Sequence, residues 1–134
     1  MNELIRIQRA TVDEHIAAEN AHNWPAVYDT FVQDEGAFYD VVPLHTHFAG
    51  ITGVKDFYRA AQTAFPDLRI DVWGEFDTPG CSIREATISG TQSRRLVRRS
   101  RNRQTGQVSP RWLLFVRNGR KLREACCRTN LFRQ

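Results

Sequence analysis

Two side chains in the first part of the chain have the chemistry needed to move a proton. Asp40 follows Phe38 and Tyr39 in a segment with the composition of a β-strand. A carboxylate at an apolar pocket is a candidate general base for an acidic proton next to a carbonyl group. His15, beside the apolar stripe of a predicted helix, is its candidate donor or acid partner. The competing interpretations are a carboxylate that caps a turn and a solvated helical histidine.

The loop that follows Asp40 contains two further histidines, His45 and His47. We interpret them as a lid over the pocket or as ordinary loop residues. Two histidines at this spacing form a metal site only with a third ligand, and the sequence supplies none at a suitable spacing. The three cysteines form no CxxC pair, so we expect free thiols. We therefore predict a site without metal or cofactor.

Arg84 alternates with apolar residues along a predicted strand, which predicts an inward side chain. A buried arginine requires a carboxylate, and the candidates are Asp40, Asp71 and Glu75. The alternative is that Arg84 binds an anionic substrate. Glu85 takes the inward place if the register is shifted by one residue.

Aromatic side chains are candidates for the lining of an apolar pocket, with core packing as the alternative. They are Trp24, Tyr28, Phe31, Phe57, Trp73 and Phe115. The polar candidates for substrate binding are Arg84, Gln92 and Asn130.

Hydrophobic spacing predicts three helices in the first half of the chain. The first spans residues 3–21. Asn23 is expected to cap the second helix, with Pro25 in its first turn. Thr52 is expected to cap the third helix, which runs to Phe65. The apolar stripes of the last two helices are Trp24, Val27, Tyr28 and Phe31, and Val54, Phe57, Tyr58 and Ala61.

The hydrophobic period changes to two after Pro66, which is typical of strands. Strands are predicted over 37–42, 68–76, 82–92, 107–117 and 121–131, with residues 43–50 as a loop. One face of the second strand is expected to carry Leu68, Ile70, Val72 and Phe76. The pair Asn118-Gly119 predicts a hairpin turn.

Three helices before a run of antiparallel strands predict an α+β fold, and 134 residues predict a single domain over residues 1–134. The helices must cover one face of a curved sheet. The apolar run 112–116 implies that the other face is covered as well, and a second copy of the chain is the natural cover. We therefore expect a homodimer.

Several segments match a known family in order and spacing. Phe38-Tyr39-Asp40 precedes Gly50-Ile-Thr-Gly-Val-Lys-Asp-Phe-Tyr58, and Ala64-Phe-Pro-Asp-Leu-Arg-Ile-Asp71 precedes Ile88-Ser-Gly-Thr91 and Thr105-Gly106. Together with residues 15–31, they resemble the SnoaL-like polyketide cyclases and ketosteroid isomerase-like proteins of the nuclear transport factor 2-like superfamily. The resemblance covers residues 3–132. It implies three helices packed on a strongly curved antiparallel or mixed sheet that forms a cone-shaped α+β barrel around a pocket.

The resemblance also implies roles for particular residues. Asp40 takes the place of the general base of the isomerases, and His15 that of a tyrosine that donates to the substrate oxygen. A second acid of the isomerases is matched near Leu113, so that donor is missing. Gln92 and Asn130 stand where the cyclases have a histidine and an aspartate. Amides orient a carbonyl group but do not carry protons at neutral pH.

Basic residues are concentrated at the C-terminal end of the chain. Residues 1–92 carry 6 basic and 14 acidic side chains, a net charge of −8, whereas residues 93–134 carry 13 basic and 1 acidic, a net charge of +12. The Arg-rich segment 93–111 lacks an aromatic stacking platform and a helix-turn-helix or zinc-finger frame. We interpret it as solvated or paired with the acidic helices. A polyanion partner is the alternative, and nucleic acid is not favoured.

Composition excludes some classes of protein. The chain is 41% hydrophobic and contains no apolar run long enough for a membrane-spanning helix. The N-terminus lacks the pattern of a signal peptide, so we expect a cytoplasmic protein.

The leading hypothesis is a small cofactor-independent enzyme for an apolar, polyketide- or steroid-like carbonyl compound. It would abstract a proton for isomerisation or cyclisation, with Asp40 as the base and His15 as its partner. A non-catalytic module that binds a small molecule is the alternative, and a polyanion binder is the third hypothesis. Lyase and epoxide hydrolase chemistry also occur on the fold that the resemblance implies.

Overall fold

Three helices and six strands make up the part of the chain that the structure describes. The computed structural model describes residues 2–93, 111–117 and 124–129. In chain order the elements are α1 (Glu3–Asn20), α2 (Trp24–Asp29), β1 (Phe38–Val41), a 3-10 turn (Val42–Leu44), β2 (Thr46–Ala49), α3 (Gly50–Ala64), β3 (Arg69–Thr78), β4 (Cys81–Ser89), β5 (Arg111–Arg117) and β6 (Glu124–Thr129). The predicted turn at Asn118-Gly119 lies outside the described residues. None of the described helices is long and apolar enough to cross a membrane.

The strands form one mixed sheet in the order β2-β1-β6-β5-β4-β3. β1 and β6 are parallel, and the other neighbours are antiparallel. The helices and this sheet confirm the α+β class. β2 and β3 are the two edges among the described strands, so the sheet is open and the expected closed barrel is not confirmed.

Side-chain amides attach α1 to β3 near both ends of the helix. Gln8 accepts a hydrogen bond from the Gly80 amide at 2.7 Å and donates to the Thr78 carbonyl at 3.1 Å. Asn20 accepts from the Ile70 amide at 2.7 Å and donates to the carbonyl of the same residue at 2.9 Å. Because β3 is an edge strand, these backbone groups have no further strand to bond. The two amides therefore hold α1 in one position on the sheet.

The core is centred on Tyr58 of α3, which is 3% exposed. Val27 of α2, Phe31 just after this helix and Val54 of α3 are fully buried, as their predicted stripes require. Five aromatic rings lie 5.1 to 6.4 Å from the Tyr58 ring, centroid to centroid: those of Trp24, Tyr28, Phe31, Tyr39 and Phe57.

Residues 43–50, predicted as a loop, contain regular structure. The 3-10 turn ends at His45, whose φ is 50°, and β2 then pairs with β1. α3 begins at Gly50, so Thr52 is not its cap. Ala49 occupies the cap position and provides no side-chain hydrogen bond. A four-residue strand after a tight turn is too short to give a periodic signal, which explains the wrong prediction.

A β-bulge in β3 reverses the alternation of side chains along the strand. The register shifts between Val72 and Gly74, so Trp73 is the extra residue. Phe76 was expected to share the inner face with Val72, but it is 57% exposed. Its neighbour Asp77 turns inward instead.

The inward turn of Asp77 supplies the partner of the buried Arg84. Nη1 of Arg84 lies 2.9 Å from Oδ1 of Asp77, and the two side chains are 1% and 6% exposed. The expected partners of Arg84 were wrong, because each contacts another basic side chain. Those contacts are Asp40 with His47, Asp71 with Arg69, and Glu75 with Arg9.

Replacement of Asp77 by Asn is expected to destabilise the protein by about 3 kcal/mol at neutral pH, because it leaves the buried Arg84 charge with only the exposed Asp13 carboxylate, at 3.7 Å. Burial raises the pKa of the Asp77 carboxyl, but hydrogen bonds from Ser82 and Arg84 and the nearby charges outweigh it, so the pKa lies below its usual value. A carboxyl of this kind stabilises the native state above its unfolded pKa of about 3.9. The stabilisation is lost as the pH falls through the lower, folded pKa.

Urea denaturation of the wild type and Asp77→Asn at several pH values measures this effect. The difference between their unfolding free energies should shrink below about pH 4. Asp71→Asn is the matched control, because Asp71 is exposed and pairs at the surface. A difference for Asp77→Asn that does not change with pH would contradict the assignment.

Candidate functional site

An apolar pocket of about 350 Å³ lies between the helices and the sheet, in the size range of small-molecule sites. Its aromatic wall consists of Trp24, Tyr39, Phe48, Phe57, Tyr58 and Phe65. Its aliphatic wall consists of Val41, Leu44, Ala60, Ala61, Ala64, Leu68, Ile70 and Ile88. The polar side chains of the wall are Glu19, Thr46 and Ser89.

Glu19 is the one charged side chain in the wall formed by the described residues. Its side chain is 7% exposed, and Oε1 lies 3.3 Å from Nε2 of His15, which is 1% exposed. The two residues are four positions apart on α1, so the helix places them on the same face. A buried carboxylate costs free energy unless a partner compensates for the lost water. His15 is that partner.

Hydrogen bonding determines which nitrogen of His15 carries the proton. The Thr30 hydroxyl donates its single hydrogen to the Val27 carbonyl at 2.6 Å. The same hydroxyl lies 2.8 Å from Nδ1 of His15, so it accepts a hydrogen bond from that nitrogen. Nδ1 is consequently protonated, and Nε2 is left to face the Tyr58 hydroxyl at 3.1 Å.

Nε2 of His15 can interact with two groups of the pocket wall. In the neutral imidazole, Nε2 accepts a hydrogen bond from the Tyr58 hydroxyl. In the protonated imidazole, Nε2 is a donor, and it forms an ion pair with Glu19. One nitrogen thus contacts both a carboxylate and a hydroxyl of the wall.

The structure separates Asp40 from His15, the two residues predicted to form a catalytic pair. His15 lies behind the pocket wall, in contact with Glu19. Asp40 is outside the wall, and its 35% exposed side chain bonds to Nδ1 of His47. Tyr39 contributes to the wall from the same strand, so alternation directs Asp40 to the opposite face. The expectation that Asp40 faces the pocket is therefore corrected.

The histidines predicted as a lid also lie outside the pocket wall. His45 is exposed at the end of the 3-10 turn, and the His47 side chain is 55% exposed. Thr46 and Phe48 contribute to the wall instead, because they alternate with His47 along β2. No three His, Cys, Asp or Glu side chains are grouped as a metal site within the described parts of the chain.

Four of the aromatic candidates divide between the pocket and the core. Trp24 and Phe57 line the pocket. Phe31 is fully buried, and Tyr28 packs edge to face against Tyr58, so both belong to the packing behind the wall.

The other predicted substrate-binding residues lie away from the pocket or cannot be placed. Trp73 at the bulge is 53% exposed, and Gln92 is exposed. Arg84 belongs to the buried ion pair near the β3–β4 turn. The Phe115 side chain and Asn130 lie outside the described part of the chain.

The sequence analysis missed the two polar groups that the pocket presents, Glu19 and the Tyr58 hydroxyl. A signal for Glu19 was available, because Gln8, Val12, His15 and Glu19 follow the spacing of one helix face. Three polar residues on a buried stripe each require a partner, and such residues are more informative than apolar ones. Tyr58 gave no signal beyond its place in an apolar stripe.

Comparison with family models and with curated protein sequences finds no match. The structure is similar to a protein of Jannaschia sp. CCS1 assigned to the SnoaL-like polyketide cyclases, with a TM-score of 0.79 at 16% identity over 98% of this chain and 90% of that chain. A protein of Shewanella denitrificans OS-217 with the same assignment has a TM-score of 0.76 at 9% identity, over 92% of this chain and 90% of that chain.

A third similar structure has a ketosteroid isomerase-like fold and comes from Catenulispora acidiphila DSM 44928. It is in complex with trimethylamine and has a TM-score of 0.72 at 12% identity, over 90% of this chain and 85% of that chain. The fold is therefore the one seen in these SnoaL-like and ketosteroid isomerase-like structures, in agreement with the resemblance noted in the sequence. At these identities the comparison establishes the fold alone, and the chemistry must be argued from the side chains of the pocket.

We expect the neutral imidazole of His15 to carry its proton on Nδ1, because Thr30 is an acceptor there. Long-range ¹H–¹⁵N NMR correlation of the histidine rings measures this directly. Thr30→Val leaves the Nδ1 proton buried without an acceptor and should cost about 1–3 kcal/mol of stability. Thr63→Val is the control, because the exposed Thr63 hydroxyl bonds within its own helix. A neutral His15 with its proton on Nε2 would contradict the assignment.

Proposed function

We propose that the protein is a small enzyme that moves a proton on an apolar carbonyl compound, for isomerisation or ring closure, without a cofactor. The observation that supports this most strongly is the Glu19 carboxylate, buried in an apolar wall and in contact with a histidine. A base held out of water next to a bound carbon acid is the arrangement that proton abstraction requires.

In the proposed reaction Glu19 accepts the proton from the carbon next to the carbonyl group. The electron pair of that C–H bond moves toward the carbonyl oxygen, which becomes an enolate. The Tyr58 hydroxyl donates to this oxygen when the His15 imidazole is protonated, because the neutral imidazole accepts its one hydrogen at Nε2. Return of the proton to another carbon completes an isomerisation. In ring closure the enolate carbon attacks a second carbonyl group, and the alkoxide that forms takes the proton from Glu19.

The fold supports the small-molecule pocket of this proposal, and the reaction is argued from the side chains. Similar structures include assigned SnoaL-like polyketide cyclases, a putative hydroxylase of Streptomyces galilaeus, and the trimethylamine complex. These descriptions are consistent with a small-molecule pocket on this fold. A cytoplasmic location is part of the same proposal.

A binding module that uses the same pocket without catalysis is the second candidate. It is favoured by the amides Gln92 and Asn130, which stand where the cyclases have a histidine and an aspartate. Polyanion binding through residues 93–111 is the third candidate, and this segment lies outside the described residues apart from Ser93 and Arg111.

We also infer a homodimer, formed through the outer face of the sheet. Phe76 and Trp73 expose 57% and 53% of their surface there. Phe76 pairs with Ile83 of β4, and β5, with its apolar sequence, lies beside β4. Large apolar side chains grouped on one face favour an interaction surface.

Glu19→Gln should keep the fold and lower turnover about 10²-fold or more, because the amide cannot accept the proton. The assay uses a panel of α-acidic ketones and polyketide esters. Asp40→Asn discriminates between the two carboxylates, since it removes the base that the sequence resemblance implies. Asp56→Asn is the matched control, because Asp56 is exposed on α3 and pairs with Arg59.

Loss of turnover in Asp40→Asn with normal turnover in Glu19→Gln would overturn the assignment of the base. No turnover by the wild type on any panel member, with tight binding of one, would favour the binding module. His15→Ala should lower turnover less than Glu19→Gln, because water can replace an orienting group in part.

Sedimentation at micromolar concentration tests the homodimer. The unmodified chain should give about twice 15.5 kDa. Phe76→Asp should weaken the dimer by placing a charge in an apolar interface, whereas Phe76→Leu should keep it. A stable monomer for the unmodified chain would contradict the inference.

A further inference from the structure

The pocket combines aromatic rings with one negative charge. Trp24, Tyr39, Phe48, Phe57 and Tyr58 all contribute to the wall that contains Glu19. The face of an aromatic ring carries negative electrostatic potential, and it attracts a cation that has lost part of its water. Rings and a carboxylate in one dry cavity therefore favour the same kind of ligand.

Glu19 has no permanent positive partner in the described part of the chain. Its one ion-pair contact is Nε2 of His15, and no Lys or Arg lies in the pocket wall. Tyr58 donates its hydroxyl hydrogen to Nε2 only while that nitrogen is unprotonated. In that state the histidine is neutral, and the charge of Glu19 is uncompensated. Buried charges are normally paired or neutralised, so a cation from elsewhere would stabilise this state.

The basic side chains near α1 do not supply that cation. Arg84 is engaged with Asp77, and Arg9 with Glu75, both near the β3–β4 turn. Lys55 lies over the Tyr28 ring at 5.5 Å. An anionic ligand would meet Glu19 without any counter-charge among the described residues of the wall, so the electrostatics of these residues oppose it.

We propose that the pocket takes a ligand with a substituted ammonium group, which pairs with Glu19 and packs against the aromatic rings. This inference rests on the proposed function and narrows its substrate class to apolar carbonyl compounds that bear a basic amine. The cavity of about 350 Å³ holds such a head group together with an apolar remainder.

The two roles of Glu19 are compatible when the amine is adjacent to the reacting carbon. One oxygen, Oε1, faces His15, so the carboxylate has a second oxygen for the ligand. The cation attracts the carboxylate in the ground state and makes the neighbouring C–H bond more acidic. The C–H proton then passes to Glu19, its electron pair moves to the carbonyl oxygen, and the ammonium group keeps its own substituents and charge.

A pair of probes with one shape and different charge tests the proposal on the full chain. Benzyltrimethylammonium carries the cation, and neopentylbenzene has carbon in place of nitrogen. Amide chemical-shift titration by NMR should show that the cation binds about 10-fold or more tightly than its neutral isostere, from ring and carboxylate attraction. Equal or tighter binding of the isostere, or no binding of the cation, would overturn the proposal.

Variants of single carboxylates identify the group that is responsible for the preference for the cationic probe. Glu19→Gln should reduce the preference for the cation to the contribution of the rings, and Asp56→Asn should retain it in full. Both variants remove one negative charge, so they differ only in where the charge is lost. If Glu19→Gln does not fold, the wild-type comparison of the two probes still decides the question. Preference for the cation in a folded Glu19→Gln equal to that of the wild type would also overturn the proposal.

The outcomes separate this inference from the proposed function. Turnover of neutral ketones without any preference for cations would support the proposed enzyme activity and exclude the amine-bearing substrate class. Preference for the cation without turnover of any ketone, including ketones that bear an amine, would support the ammonium-binding pocket and exclude the proposed enzyme activity.

Discussion

The need to satisfy the buried polar stripe of α1 constrains the whole structure. Gln8, His15 and Glu19 are each at most 5% exposed, and an unpaired polar group at such a depth costs about 1–3 kcal/mol. Each one therefore requires a partner, and Glu19 finds it in His15 of the same helix. Gln8 bonds to the β3–β4 turn, and His15 bonds to α2 and α3 through Thr30 and Tyr58. The stripe thus positions the hairpin and the other helices around the pocket.

The bulge at Trp73 separates an apolar region from a charged region on the inner face of the sheet. Before the bulge, Ile70 contributes to the apolar pocket. After it, Asp77 turns inward and pairs with Arg84, which removes that arginine from the pocket. Without the reversed alternation, Phe76 would occupy the inner face and Arg84 would lack its carboxylate. The charge of the pocket is therefore that of Glu19 alone among the described wall residues.

The fold is shared with other solved structures, whereas the polar groups of the pocket are those of this chain. Proteins with this fold differ in the polar groups that they direct into the pocket, so fold does not imply reaction. Here the helix supplies the carboxylate, and the strand carboxylate Asp40 bonds to His47 outside the wall. With Glu19 as the base, the reaction still uses a buried carboxylate, as the family resemblance implies. That carboxylate comes from helix α1 and not from strand β1.

The sequence by itself determined the α+β class, the three helices, every described strand except β2, and the family resemblance, because these depend on local periodicity and motif order. It also singled out His15 as a candidate beside the apolar stripe of a helix, without deciding whether that side chain is buried. Tertiary structure alone decided that Asp40 points away from the pocket, that Asp77 pairs with Arg84, and that Tyr58 meets His15. A one-residue change of strand phase moves every following side chain to the other face, and short segments carry too little periodicity to reveal it.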